Sequence, residues 1–388
     1  MNSRRSGVLL SLFLALFLGL GFAIDGTSLR DPAYRSLSLF AEVTGLVENN
    51  YVEPVDHKAL LQGAYQGLLG GLDPLSGFLT AEEYKRLTAA PEAPGRIGAD
   101  VIKVGGTTLI ASVVPGSPAE AAGLHPADQI WAIDGRSTRE LCLPQIRALL
   151  SGPPGSETTL LVFRADDQRR VEPHLKRKEL NGPGFVHRLE LGHTGYVRVQ
   201  DLSRVTPSAL GSALTELKKK GATRLLLDLR GSTRGDAGSA ASIAGLFIGS
   251  HPLATERARG AQAKPIAARG AAVWQAPVWI LQNSTTAGAA ELLAAALRDE
   301  ANARLIGEKS CGYGARQEFI PLPSGDGLVL SVAEYRAPGG EEWNGRGLKP
   351  EIAVAFDWTG GWAGGDEKQL RRSLELITAA AEETPRAA

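Results

Sequence analysis

At 388 residues the chain is long enough for two or three domains around a sizeable buried core. Its 42 basic and 42 acidic residues cancel, which argues against a nucleic-acid partner, since such partners leave a basic excess. The two cysteines, Cys142 and Cys311, are too few for a disulfide framework and not clustered as a zinc site requires; they read as unpaired structural thiols, although an exported protein could join them.

In chain order, Arg4 and Arg5 precede an uncharged apolar stretch over residues 7–24. A positive start followed by an apolar run is a cleaved signal peptide or an uncleaved membrane anchor. The run is near the lower length limit for spanning a bilayer, and Gly21 and Ala23 are small residues suited to cleavage. Residues 1–25 therefore predict export, with cleavage left open. Residues 30–92 read as helical. Leu37, Phe40, Val43, Leu46 and Val47 recur at helical spacing, Asp56 caps a second helix, and Thr80 with Glu83 forms a capping box for a third.

Residues 93–178 change to short strands around Val101, Ile110, Ile130 and Leu160, with helices beginning at Pro118 and Pro144. Residues 179–357 are α/β. The runs at 225–229 and 278–281 are apolar enough for strands buried on both faces. An Ala/Leu helix over 287–298 follows the second run, and strand, sharp turn and buried helix is an order in which hydrolases often hold a nucleophile. Residues 358–388 give a C-terminal helix, 366–380, suited to partner contacts, and a tail.

From about Leu39 to Val354 these segments resemble the C-terminal processing (tail-specific) serine–lysine peptidase family. The resemblance is carried by Asn50-Tyr51-Val52-Glu53-Pro54 and Leu72-Asp73-Pro74-Leu75-Ser76. It continues through Gly116-Ser117-Pro118-Ala119, Leu227-Asp228-Leu229-Arg230, Ala290-Glu291-Leu292 and Gly345-Arg346-Gly347-Leu348-Lys349-Pro350. Their order and spacing make it specific. It implies a multidomain α+β fold with an N-terminal helical region, an inserted β-barrel-like PDZ domain and an α/β core of the tail-specific protease (crotonase-like) type. In the PDZ domain, Arg96, Ile97, Gly98 and Ala99 correspond to the loop that holds a peptide carboxylate.

Serine–lysine hydrolysis needs a hydroxyl nucleophile, a neutral amine to take its proton and backbone donors for the oxyanion. Aligned without a gap on Glu291, the resemblance puts the serine position at Gly288 and the lysine position at Tyr313, while the assisting glutamine is kept as Gln317. The oxyanion-side positions are Gly235 and Ala289. Arg234 stands where the family has glycine. A glycine has no nucleophile, and a phenol is a poor base at neutral pH. Ser284 and Thr286 are the fallback nucleophiles, with Lys309 the fallback base; a displacement of about 1 Å already costs ~100-fold in rate.

The six scattered histidines, His57, His125, His174, His187, His193 and His251, suggest no metal site, and no cofactor is implied. Trp274 and Trp279 read as packing residues, Trp343 as a loop anchor or groove wall, and Glu291 as support for a helix start. The leading expectation is an exported pseudopeptidase that binds polypeptide C-termini or unfolded segments. It would act as scaffold or regulator in the periplasm or at the outer face of the inner membrane, with an active paralogue, an envelope complex or a second copy as partner. The alternatives are an active tail-specific endopeptidase with a non-standard nucleophile, and a structural subunit of an envelope complex.

Overall fold

The computed structural model describes residues 32–89, 94–164, 166–190, 193–357 and 361–382. The leader expected over residues 1–25 and the last residues of the tail lie outside them. The chain forms two compact units, Met1–Tyr65 and Gln66–Ala388. The first contains α1 (Pro32–Asn50) and the start of α2 (His57–Gly70). Leu37, Val43 and Leu46 are exposed on α1, and His57 pairs with Glu48. Among the described residues no helix is long and apolar enough to cross a membrane.

In the second unit, β1 (Gly77–Leu79) leads into α3 (Ala81–Thr88). Thr80 and Glu83 make the predicted capping box, each side chain accepting from the other's backbone N–H. The PDZ region follows as β2 (Ala99–Val104), β3 (Thr107–Val113), α4 (Pro118–Ala121), β4 (Gln129–Ile133), α5 (Leu143–Leu150), β5 (Glu157–Phe163) and β6 (His174–Lys176). These strands lie in the order β6-β5-β4-β3-β2, so β2 is an edge strand. Gly95–Arg96 pairs with Ser151–Gly152 and Lys178–Glu179 in a small sheet that closes the domain. Ile97, Val101, Ile110, Ile130, Ile146, Leu160 and Val162 fill its core.

The rest is built on β7 (Phe185–Glu190), β8 (Thr194–Val199), α6 (Pro207–Lys219), β9 (Arg224–Asp228), α7 (Ala237–Ile248), β10 (Pro252–Ala258), β11 (Lys264–Ala267), β12 (Val278–Gln282), α8 (Ala289–Glu300), β13 (Arg304–Gly307), β14 (Ala315–Pro321), β15 (Gly327–Arg336), β16 (Ile352–Ala353) and α9 (Gly361–Glu382). The main sheet runs β7-β8-β9-β12-β13-β16, parallel from β8 to β16. Successive side chains on a strand point to opposite faces. Leu225 and Leu227 accordingly pack with Leu210, Ile243 and Leu293 of the helices, while Leu226 packs with Trp279 and Ile306 on the other face. That second face is covered by Leu370 and Ile377 of α9. The helix expected to serve partner contacts therefore spends its apolar stripe inside the fold. Trp274 and Trp343 are fully buried in the larger cluster, which makes Trp343 a loop anchor.

At the end of β9, Asp228 and Arg230 are buried together. Arg230 donates to Asp228 through its backbone N–H (3.0 Å), Nε (3.0 Å) and Nη2 (2.7 Å), and Tyr196 Oη adds a fourth bond at 2.8 Å. Burial opposes ionisation, but the Arg230 and Arg198 charges outweigh it and hold Asp228 at about 2. This pair fixes the start of the loop that forms one wall of the candidate site.

Candidate functional site at the junction of PDZ domain and core

Three loops of the main sheet meet the PDZ domain: residues 231–235 after β9, the turn 283–288 before α8, and residues 308–314 after β13. The turn is held from inside. Thr286 Oγ1 donates to the Leu229 carbonyl (3.0 Å) and accepts from Asn283 N–H (3.1 Å), while Asn283 Oδ1 accepts from Thr285 N–H and Oγ1. This forces the chain sharply into α8, and Gly288 at the corner has φ 64° and ψ −117°. Residues with a Cβ rarely adopt that conformation. A Cβ there would nevertheless meet no atom within 4 Å, because the position faces a cavity of about 210 Å³.

That cavity gathers several residues singled out from sequence. Gly288, Tyr313, Gln317, Gly235 and Ala289 all line it. Arg147, Asp236 and Arg316 join them without having been anticipated; the only sequence signal for Arg147 was one charge within an otherwise apolar PDZ helix. Ser284 and Lys309 are exposed, Thr286 is buried and tied to backbone, and none of the three lines the cavity. No serine, cysteine, lysine or histidine is among the described residues that do. Thr233 supplies an aliphatic hydroxyl there, with no amine or imidazole beside it to take its proton.

Glu291 organises the floor. Fully buried on the first turn of α8, it accepts from Gly288 N–H (3.0 Å), Gly312 N–H (2.6 Å), Tyr313 N–H (2.7 Å) and Ser310 Oγ (2.5 Å). Burial pushes its carboxyl up to about 7, against the pull of these donors. Its role is to clamp the turn onto the 310–314 loop. Burial likewise pushes the Cys311 thiol up to about 12, which removes it as a nucleophile at neutral pH. Tyr313 is raised above its usual value by burial and the neighbouring thiol, so its phenol stays protonated.

Arg234 and Tyr313 both reach across to the PDZ domain. Arg234 Nε donates to Asp100 Oδ1 at 2.5 Å; Arg96 donates to the same oxygen at 2.5 Å and to Asp201 of the core at 2.9 Å. Burial opposes ionisation of Asp100, yet Arg234 and Arg96 keep its pKa below the ordinary carboxylate value. Tyr313 Oη bonds both backbone groups of Lys103, and Arg147 Nη2 donates to the Thr233 carbonyl at 2.9 Å. The approach is close: a Cβ on Gly231 would stand 2.8 Å from the Ala111 carbonyl oxygen, and only hydrogen fits.

The four PDZ residues expected to hold a carboxylate are partly committed elsewhere. Arg96 is in the ion network, Ile97 and Ala99 are buried in the domain core, and the Ile97 and Gly98 carbonyls accept from Ala119 and Val114 N–H groups at 2.8 Å. Among the described residues no group of three or more His, Cys, Asp or Glu is placed to hold a metal ion.

The sequence matches peptidase family S41 over residues 193–354 and the PDZ domain over residues 109–164. A carboxyl-terminal-processing protease from Picosynechococcus sp. is 33% identical over 317 residues, covering 79% of this chain and 76% of that one. The chain belongs to the carboxyl-terminal-processing protease family. Another relative, the carboxy-terminal processing protease CtpA of Bacillus subtilis, is 31% identical over 310 residues; the match spans 79% of this chain and 66% of the relative's length. Among solved structures, a photosystem II D1 C-terminal processing protease superposes with a TM-score of 0.64 at 26% identity, over 82% of this chain and 92% of that one. A family S41 protease from Bacteroides fragilis, with a TM-score of 0.50 at 19% identity, shares the fold. The family's two domain types both take polypeptides, so peptide or protein ligands are the relevant class here.

Proposed function

We propose that this chain is a non-catalytic member of its family, which holds polypeptide C-termini or unfolded segments through its PDZ domain and the adjoining cavity. The observation that carries this reading is the cavity at Gly288, whose described lining offers neither an activated hydroxyl or thiol nor an amine or imidazole base. Acyl transfer needs a nucleophilic atom and an acceptor for its proton, and loss of such groups typically lowers the rate by several orders of magnitude. The charged and apolar start of the sequence supports export, with the protein working in the periplasm or at the outer face of the inner membrane as scaffold or regulator of a partner. An active paralogue is one such partner.

The reading is tested by incubating the purified chain with an unfolded protein that ends in apolar residues, following cleavage by mass spectrometry and binding by fluorescence anisotropy. Binding without cleavage is expected. A substrate-derived acyl adduct on any side chain of the unmodified protein would overturn it.

A further inference from the structure

The edge of the PDZ sheet is already occupied. β2 ends the strand order, so among the described residues only one of its sides is paired, with β3. The other side carries the backbone N–H and C=O groups to which an incoming peptide strand would add. Opposed residues in an antiparallel pair either exchange both backbone bonds or point both groups outward. Lys103, opposite Thr108, is of the outward kind, because both of its groups meet one atom of the core. Lys103 N–H donates to Tyr313 Oη at 2.9 Å, and Tyr313 Oη donates to the Lys103 carbonyl at 2.6 Å. A phenol has one proton and free lone pairs, so it satisfies a donor and an acceptor together, as the backbone of an added strand would.

We infer that Tyr313 is an internal competitor for the peptide edge of the PDZ domain: a polypeptide segment adding to β2 must displace the Tyr313 hydroxyl from Lys103. The inference rests on the peptide-binding reading above and adds a regulation to it. A tyrosine serving only to glue two domains together needs side-chain contacts, and Tyr313 has these with Ile102 and its neighbours. Its hydroxyl goes further, taking the two backbone groups that strand addition requires. The same loop is anchored at its other end, where Tyr313 N–H and Gly312 N–H donate to the Glu291 carboxylate beside Gly288 N–H.

The test uses the full chain and its Tyr313→Phe variant, which keeps the ring and removes the hydroxyl. Circular dichroism and thermal melting establish that the variant is folded, and Tyr313→Leu serves as a second variant if it is not. The probe is a labelled ten-residue peptide with apolar residues at a free carboxyl end. The variant is expected to bind it about 10-fold more tightly, the scale of one to two released hydrogen bonds. Hydrogen–deuterium exchange of the segment carrying the Lys103 amide should be faster in the free variant and be slowed again by the peptide. Equal affinity of the two proteins sinks the competition and leaves peptide binding standing. Lys103 exchange that does not respond to loss of the hydroxyl sinks it as well. No binding to either protein, with the Lys103 amide freed, sinks the binding function itself.

Discussion

Arg234 Nε lies 2.5 Å from Asp100 Oδ1, across the junction between the peptidase core and the PDZ domain. The aspartate it meets is almost wholly buried in an edge strand. Arg234 is thus part of the interface between the two domains. Arg234→Gly should leave Asp100 with Arg96 as its remaining direct ion-pair partner and lower stability by about 2–3 kcal/mol, somewhat under the cost of stripping a buried charge completely. Urea denaturation of the two proteins measures it; a change within ±0.5 kcal/mol would show that the bond across the junction carries nothing.

At the corner leading into α8, Gly288→Ser meets open space but an unfavourable backbone conformation, φ 64°. A cost of about 1–2 kcal/mol is expected from the strain. The variant should fold and still show no turnover of an unfolded substrate, because the neighbouring Tyr313 phenol remains protonated at neutral pH. Burst-phase release of product by the single variant would show that another group serves as base.

Acid stability turns on Asp228. Its folded pKa of about 2 lies below the ~3.9 of an unfolded aspartate, so it contributes stability that is complete above pH ~4 and is lost as the pH falls towards 2. The loss attributable to this group is about 2–3 kcal/mol. Chemical denaturation at a series of pH values from 5 to 2 should show this decline, and Asp228→Asn should flatten it. An unchanged slope in the variant would assign the acid sensitivity elsewhere.

The cysteines give a chemical check on burial. Burial pushes Cys142 up to about 11 and Cys311 up to about 12, so thiolate is scarce at pH 7.5. Iodoacetamide should leave both unmodified in the native protein and label both after unfolding, as read by intact mass. Rapid single labelling at Cys311 would make it a candidate nucleophile.

Much of this organisation was readable beforehand from particular residues. Thr80 and Glu83 announced a capping box because that contact closes within four residues, and the runs at 225–229 and 278–281 announced doubly covered strands because burial on both faces leaves little room for polar side chains. The direction of the C-terminal helix was not readable: its periodicity marks an apolar stripe, and the same stripe serves a partner or the chain's own sheet. Leu370 and Ile377 face Tyr196 and Trp279 because β8 and β12 bring those rings to the uncovered side.

The sequence by itself determined which atoms these positions can offer. Gly288 has no hydroxyl and Tyr313 no amine in any conformation, since covalent structure alone decides that. What Arg234 and Tyr313 do instead was decided only by tertiary structure. Asp100 and Lys103 are more than a hundred residues away along the chain from both, and nothing in local pattern links positions that only the packing of one domain on another brings within hydrogen-bond reach.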